Sequence, residues 1–533
     1  MNKTCNIIMT IIISTCFLAC QKAEETQLVL NEDRFVEGKL EKEFFTTEGY
    51  TVLGDVIDIP YSIENLLKAY ENLPAHTKSQ IDPNDIKPTH YYVRFYPKTI
   101  EELDILRNIK PYVFLSETPL DREVVVGGSS YHDPSISEDL PTFQYTVVPV
   151  DRWAELEKTV PVEAEILIKA YIPDYDEAYT TKSEDKYGIP ATAYEELLRE
   201  AYRITGNEYD AIPETKSSWN PSGRIRAYDT DKTMYVPVKG VRVRGTHLLK
   251  VKEALTDTSG VFVLASFNNP VNMKIIWESD DWDIRDGLIG QATFDGPQLD
   301  NQSWYCDIGE SHEKNIRYAV VQNVAFKCFY EDIAGLFPPL FSNKLKFCQY
   351  SSSGSSNFDC TFQGSEFIEL YILYSGEYLG SKDYSERVAH EIGHSVHYSW
   401  SISDYNDHSP IIKESWADFY KYAITYLIYQ SFHNCDMFWP NNTGPLTLKY
   451  SPIFIDLFDD QNQSTLYPGL VFPLEMPNDN VTGYSWSHLN TILYHSYTLS
   501  DLKMKAKNPK PYGVTDAQID SLFVVYEANW TDD

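Results

Sequence analysis

Positive charge is scarce in this sequence of 533 residues. It has 45 lysines and arginines against 78 aspartates and glutamates, which gives a formal net charge of −33 at pH 7. Nucleic acids and anionic membrane surfaces carry the same sign of charge and would repel the protein. The charge balance therefore excludes nucleic acid as an expected partner and favours substrates that are neutral or cationic.

Long apolar runs are also missing, with one exception at the N-terminus. Residues 7–18 are apolar, follow Lys3 and are too few to span a bilayer as a mature helix, so they predict a signal peptide. It ends at Phe17-Leu18-Ala19-Cys20, which resembles the lipobox of bacterial lipoproteins. The resemblance implies removal of residues 1–19 and lipidation of Cys20. The alternative is an ordinary secretory signal in which this cysteine is incidental.

A lipidated cysteine would place the protein in the cell envelope of a Gram-negative bacterium, at the outer membrane. The acidic residues 21–25 resemble the tag that sends some lipoproteins to the cell surface, and the alternative is a solvated linker over residues 20–45. No other stretch is long and apolar enough to cross a membrane. We therefore expect an ectodomain that meets the membrane only through its lipid anchor.

Cysteines are few, and no CxxC pair occurs, which disfavours a cysteine-based metal site. Of the eight cysteines, Cys5 and Cys16 would leave with the signal and Cys20 would be lipidated. The five that remain all lie in the C-terminal half: Cys306, Cys328, Cys348, Cys360 and Cys435. In an oxidising exterior they predict up to two disulfides and one free thiol.

The N-terminal half contains no spacing of residues that is typical of a catalytic site. Over residues 46–150, an alternating strand at 90–96 and a helix at 99–108 predict a small α/β module for binding or packing. Residues 151–223 predict a mixed helical and linker region. Its clearest helix has a capping box at Thr192 and Glu195 and a stop at Gly206.

Residues 224–283 predict short strands. The valine-rich stretch 236–245 alternates, and Asp257 and Gly260 form a turn that leads into another alternating strand. These features resemble the carboxypeptidase regulatory-like, or transthyretin-like, β-sandwich. The resemblance implies a stabilising or adhesive domain without chemistry of its own.

A candidate metal site lies in the C-terminal part of the chain. A capping box at Asp383 and Glu386 predicts a helix that buries Val388, Ile392 and Val396. On that helix His390 and His394 are one turn apart on one face, and this is the spacing at which two imidazoles can bind one zinc ion. Glu391, next to the first histidine, is placed to take a proton from a bound water.

A second helix supplies a third ligand. Ser409 as N-cap and Pro410 as first residue predict a helix that carries Glu414 and, one turn later, Asp418. The pattern His-Glu-x-x-His, nineteen residues, then Glu-x-x-x-Asp resembles the gluzincin metallopeptidases of the thermolysin type. The resemblance implies that Glu414 is the third zinc ligand and that Asp418 hydrogen-bonds and orients His390. It also implies an α+β zincin catalytic domain, which we assign to residues 284–533.

The sequence lacks several motifs of other zinc peptidases, and it also lacks some motifs of the thermolysin type. Metzincins need Gly and His where this chain has His397 and Trp400, so that class is excluded. The Gly-x-Met-Glu-Asn signature of related aminopeptidases is missing, as are the Asn-Ala-x-Trp substrate strand and calcium-site carboxylate clusters. The resemblance therefore covers only residues 383–490 and describes a divergent gluzincin.

The sequence also contains candidate hydrogen-bond donors for the oxyanion of a tetrahedral intermediate. Tyr405, eleven residues after His394, and His488, in a His-x-Asn element, match the family's positions, with His495 and Tyr484 as alternatives. The remaining histidines and aromatics favour other roles. For His397 we expect a surface or packing role, for His408 and His433 loop or helix-surface positions, and for residues 416–429 a core helix. Residues 367–373 predict either a substrate-binding sheet edge or an interior strand.

Taken together, the sequence predicts a multidomain, lipid-anchored zinc peptidase that acts on polypeptides, with Glu391 as general base. One alternative is a non-catalytic surface binding lipoprotein. An intact Glu391 argues against it, because a site without catalysis has no need for the base. The other alternative is a structural zinc site, which three ligands and an open position disfavour.

Overall fold

The computed structural model describes residues 44–529, except residues 45, 110–112, 174–188, 208–217, 334, 342, 360–366, 431–450, 467–470, 473, 476–477, 495 and 509. The predicted signal peptide, lipobox and acidic tag lie outside the described residues. So do Cys360, Cys435, His433 and His495. Within the described part, the chain is a multidomain arrangement of helices and separate sheets, and none of its helices is long and apolar enough to cross a membrane.

The N-terminal module combines two small sheets with helices. Its strands are β1 (Val52–Val56), β2 (His90–Phe95), β3 (Arg122–Val126), β4 (Gln144–Pro149) and β5 (Ala164–Ala170). Its helices are α1 (Ile63–Asn72), α2 (Ala75–Lys78), α3 (Ile100–Arg107), α4 (Val150–Thr159) and α5 (Ala191–Ile204). β1 pairs with β3, and β2 lies between β4 and β5, all antiparallel.

The predicted strand over residues 90–96 and the predicted helix over 99–108 are confirmed. The hydroxyl of Thr99 accepts from the amide of Glu102 and so caps α3, while Leu103 and Leu106 face the core. Because β5 pairs with β2, this sheet extends across the boundary that we predicted between residues 150 and 151.

The predicted capping box of α5 is wrong. The helix begins at Ala191, and Pro190 occupies the N-cap position without a side-chain bond, so Thr192 lies inside the first turn. The helix buries an apolar stripe at Leu197, Leu198 and Ala201. Gly206 follows the helix with a φ of +68°, a left-handed conformation that suits a glycine stop.

Two four-stranded sheets follow. Their strands are β6 (Ser222–Asp229), β7 (Met234–Pro237), β8 (Arg242–His247), β9 (Lys250–Leu255), β10 (Val261–Val263), β11 (Val271–Ile276), β14 (Thr293–Leu299) and β15 (Trp304–Ile308). One sheet has the order β10-β6-β15 with β7 on β6, and the other has the order β14-β11-β8-β9. The predicted turn is confirmed: Oδ1 of Asp257 accepts from the amides of Ser259 and Val261 at 2.8 and 2.9 Å, and Gly260 has a φ of +75°.

Strand pairing crosses the boundary that we predicted between residues 283 and 284. β14 and β15 come after it, yet each completes a sheet that begins before it, and β15 pairs in parallel with β6. Parallel pairing needs a long crossover, so the alternating pattern of one stretch could not reveal it.

A six-stranded sheet supports the candidate site, and we call it the third sheet because it follows the two four-stranded sheets. Its strands are β12 (Trp282–Asp286), β13 (Gly290–Gln291), β16 (Leu345–Ser353), β17 (Asn357–Asp359), β18 (Phe367–Tyr374) and β19 (Glu377–Tyr378), in the order β13-β12-β16-β18-β17 with β19 on β18. Residues 367–373 therefore belong to an interior strand, between β16 on one side and β17 and β19 on the other. One end of this sheet, among the described residues, is the short β17, and the other is β13.

Long helices pack against this sheet and are followed by shorter elements. The long helices are α6 (Glu313–Tyr330), α7 (Ser381–Trp400) and α8 (Pro410–Tyr429). The shorter elements are α9 (Ile453–Phe458), α10 (Gln463–Leu466), the strands β20 (Val471–Phe472) and β21 (Leu474–Glu475), α11 (Trp486–Leu493), α12 (Leu499–Ala506) and α13 (Asp516–Asn529). Val388, Ile392 and Val396 of α7 are buried as predicted. They share one hydrophobic core with residues of the two preceding sheets. The first four aromatic side chains of α8 belong to the same core, as predicted, at Trp416, Phe419, Tyr420 and Tyr422, whereas Tyr426 is exposed.

The prediction of only one free thiol is wrong, and at most one disulfide remains possible. Cys306, Cys328 and Cys348 are free thiols buried on β15, α6 and β16, so only two of the five cysteines are left for pairing. Burial raises the pKa of each of the three thiols to about 12, because the thiolate would lose its hydration. They act as small apolar core residues.

Candidate metal centre

Helix α7 begins two residues before the predicted capping box. Gly380 is its N-cap, and Asp383 lies in the first turn, so the predicted box is wrong. The free amides of Ser381 and Lys382 instead donate to the side chains of Thr230 and Asp231, both at 2.8 Å. These two residues form the turn between β6 and β7. A cap that comes from so far back in the chain cannot be found from local sequence.

Helix α8 begins as predicted, with Ser409 as N-cap and Pro410 as first residue. It packs along α7, and the two helices are in close contact at Gly393. A Cβ atom at this position would lie 2.8 Å from Cβ of Tyr420 and 2.9 Å from Cα of Ala417. We assigned Gly393 no role from the sequence. Its place inside the His-Glu-x-x-His motif was the signal that could have suggested one, since glycine lets two backbones approach.

The close packing brings three ligand atoms together. Nε2 of His390 and Nε2 of His394 each lie 3.3 Å from Oε2 of Glu414, and the two Nε2 atoms are 3.2 Å apart. Ligands about 2.0–2.1 Å from a tetrahedral metal ion lie about 3.3–3.4 Å from each other. His390, His394 and Glu414 could therefore bind a metal ion, and within the described part of the chain no other trio of His, Cys, Asp or Glu side chains converges in this way.

Hydrogen bonds within the cluster shift the pKa values of Glu414 and His390 in opposite directions. Burial alone would raise the pKa of Glu414, but hydrogen bonds from His390 and His394 hold it well below its usual range. Burial alone would lower the pKa of His390, but Asp418 and Glu414 raise it to about 9. A cation bound by these groups would compete with protons for the same lone pairs.

Asp418 lies behind His390, on the side away from the other ligands. Its Oδ1 atom is 3.1 Å from Nδ1 of His390 and 2.6 Å from Nζ of Lys421. Burial would raise the pKa of Asp418, but the ammonium group of Lys421 and the hydrogen bond with His390 lower it to about 2. The carboxylate is therefore ionised at neutral pH and fixes Nδ1 of His390 as the protonated nitrogen.

Glu391 lies beside the cluster and is only 5% exposed. Burial raises its pKa, and this effect outweighs His390, His394 and a hydrogen bond from the amide of Phe358. Phe358 belongs to β17, so the end of the third sheet meets the helix at this glutamate. A buried carboxylate with a raised pKa is suited to accept and return a proton near neutral pH.

The contacts of the three described candidate donors for a tetrahedral intermediate are as follows, and their role as donors stays a prediction. The hydroxyl of Tyr405 is 3.3 Å from Nδ1 of His394, the ring nitrogen that faces away from the cluster. The contacts of His488 are those of a helix cap: its Nδ1 accepts from the amide of Ser485, and the amide of His488 donates to Oγ of Ser485. Tyr484 donates to the carbonyl of Ala506. None of these contacts reaches the open side of the cluster.

His397 and His408 form a buried pair. Nε2 of His397 lies 3.0 Å from Nδ1 of His408. Packing, one of the two roles that we expected for His397, is confirmed. His408 lies in a loop, one of the two positions that we expected for it, but its side chain is buried because the segment after α7 folds back against the helix.

Comparison with known proteins does not identify a relative. No protein-family model matches the chain, and no curated protein matches it.

Proposed function

We propose that this protein is a zinc-dependent peptidase, and we expect it to be an endopeptidase. The observation that carries the proposal is the convergence of two imidazole nitrogens and one carboxylate oxygen at 3.2–3.3 Å, with a buried glutamate next to them. Two histidines and one glutamate are the ligand set of catalytic zinc sites in several peptidases, where a fourth position stays open for water. Magnesium and calcium prefer all-oxygen sites, so the donor set favours zinc.

The residues divide the chemistry between them. A zinc ion held by His390, His394 and Glu414 would lower the pKa of a water and polarise the scissile carbonyl. Glu391 would take the proton from that water and then give it to the departing amine. Asp418 would keep His390 in the tautomer whose Nε2 faces the ion.

The substrate would bind along β17. This strand lies at the end of the third sheet, and the amide of Phe358 in it points toward Glu391 rather than toward β18. An extended peptide can pair with such an edge through its main chain, which would hold a peptide bond beside the glutamate. This gives β17 the role that we first considered for residues 367–373.

Other parts of the sequence analysis support the same proposal. Helices α7 and α8 beside a mixed sheet suit a gluzincin-like zincin domain, and the two preceding four-stranded sheets suit a transthyretin-like sandwich. We further propose that Cys20 carries a lipid anchor and that the protein acts on polypeptides at the outer membrane of a Gram-negative bacterium. The net charge of −33 argues for substrates that are not strongly acidic.

The test compares the wild-type protein with Glu391→Gln on a mixed peptide library, together with the zinc content of both. We expect about one zinc per chain in both proteins, and a loss of cleavage of about 10²–10⁴-fold in the variant because the base is gone. Treatment with a chelator should abolish cleavage by the wild type, and added zinc should restore it. Equal cleavage by both proteins, or a folded wild type that binds no zinc, would sink the peptidase proposal.

A further inference from the structure

Each histidine of the metal cluster meets an oxygen atom at the ring nitrogen that faces away from the cluster. For His390 this is Oδ1 of Asp418 at 3.1 Å, and for His394 it is the hydroxyl of Tyr405 at 3.3 Å. Nε2 can bind a metal only if it is unprotonated, so the ring proton must then be on Nδ1. An oxygen at hydrogen-bond distance from Nδ1 stabilises that tautomer and sets the plane of the ring.

We propose that Tyr405 is a positioning residue for the metal ligand His394: its hydroxyl oxygen accepts the Nδ1 proton and so orients the ring, as Asp418 does for His390. The proposal rests on the proposed metal site. It differs from the role that the sequence resemblance implies, a donor to the substrate's carbonyl oxygen. The hydroxyl is on the far side of the imidazole from the metal position, and the side chain is 8% exposed.

The segment that carries Tyr405 is fixed at several points. The amide of Tyr405 donates to the carbonyl of Ser401 at 2.7 Å, at the end of α7. On either side, Asp404 accepts from the hydroxyl of Tyr497 at 2.6 Å, and His408 pairs with His397. The amide of Ser409 then donates to the carbonyl of Tyr497 at 2.8 Å. Tyr405 is thus held against α7 from both directions along the chain.

The two supports differ in charge. Asp418 is an ionised carboxylate, whereas Tyr405 is a neutral phenol, which accepts a hydrogen bond more weakly. The difference predicts that loss of Asp418 weakens metal binding more than loss of the Tyr405 hydroxyl does. It also predicts that the Tyr405 hydroxyl acts on metal binding and not on the chemical step.

The test measures zinc affinity and turnover separately in Tyr405→Phe. With zinc alone as the probe, in competition with a chelating dye, we expect affinity to fall about 10-fold, the low end of the effect of such supporting residues. Asp418→Asn, the comparator, should lose more, toward about 100-fold. At saturating zinc, kcat of Tyr405→Phe should stay within about 3-fold of the wild type. Tyr305→Phe makes the same chemical change at a side chain that is 72% exposed and should alter neither quantity.

The opposite pattern would overturn the proposal. An unchanged zinc affinity with a kcat that falls 10-fold or more would make Tyr405 a donor to the substrate. The affinity measurement needs no peptide cleavage, so it gives an answer even if the peptidase proposal fails. A proton NMR spectrum of the zinc-loaded protein adds a signature: the Nδ1–H signal of His394 should exchange slowly in the wild type and fast in Tyr405→Phe. Slow exchange in both proteins would also contradict the proposal.

Discussion

Charged side chains are buried in two regions of the molecule, and the two regions arrange them differently. At the metal cluster, three groups with lone pairs converge on one point, and none of the three is a permanent cation. Between the N-terminal module and the third sheet, three carboxylates meet three cations in a set that we call the junction network: Asp104, Arg107, Glu117, Asp283, Arg285 and Lys346.

In the junction network each charge has a partner of opposite sign within the protein. Arg285 lies 2.6 Å from Asp104 and 3.0 Å from Asp283, while Arg107 lies 2.9 Å from Glu117. The network therefore balances its own charge. The cluster of His390, His394 and Glu414 instead leaves its lone pairs facing one another, an arrangement that a cation would stabilise. Burial of charge alone does not indicate a functional site; the arrangement of the partners does.

The largest effect on stability is expected from breaking the junction network. Arg285→Met leaves Asp104 and Asp283 buried with fewer cations, so we expect the free energy of unfolding to fall by about 3–5 kcal/mol. Urea-induced unfolding measures this loss. Arg203→Met, at a side chain that is 67% exposed and pairs with Glu200, should cost less than about 1 kcal/mol. If Arg285→Met weakened zinc binding as strongly as Asp418→Asn does, the two regions would not be independent.

A smaller effect is expected from separating the two ligand-bearing helices. Gly393→Ala adds a methyl group at the contact with Tyr420 and Ala417, and such overpacking costs about 1–3 kcal/mol, although alanine is the better helix former. Because the helices must move apart, zinc affinity should fall together with stability. Gly49→Ala, where the nearest atom would be 3.6 Å away, is the matched control. Unchanged zinc affinity in Gly393→Ala would mean that the close packing does not position Glu414.

The smallest expected effect on stability comes from Asp479, a buried carboxylate that belongs to neither the metal cluster nor the junction network. Burial and the nearby Asp459 raise the pKa of Asp479 to about 7, from an ordinary value of 3.8. Because the folded state binds this proton more tightly, its contribution to stability is present below about pH 4 and is lost as pH rises to about 7. Asp479→Asn, which can still accept from the amide of Val481, should therefore be about 1–2 kcal/mol more stable than the wild type at pH 8.

Thermal or urea unfolding at pH 4, 6 and 8 follows this difference, which should shrink toward zero at pH 4. Asp55→Asn, at an exposed position, should show no such trend. An Asp479→Asn protein whose advantage is the same at all three pH values would contradict the assignment.

The candidate site was more predictable from sequence than the fold around it, for a physical reason. His390 and His394 are one helical turn apart, and Ser409 and Pro410 start the helix that carries Glu414. Local periodicity and capping therefore place all three ligand residues on two short segments. Where residues far apart in sequence meet, local patterns failed. The cap of α7 by Thr230 and Asp231, the return of β15 to pair with β6 and the burial of three free cysteines all depend on tertiary contacts.

The cap on helix α7 also bears on how the protein can be divided. A recombinant fragment that starts at residue 284 would carry every proposed zinc ligand, yet it would lack Thr230 and Asp231, which accept from the first amides of the ligand-bearing helix. It would also leave β15 without β6. Such a fragment should express poorly or fray at the start of α7. A fragment intended for crystallisation should therefore begin before Ser222, so that the two four-stranded sheets and the metal cluster stay together as one indivisible piece.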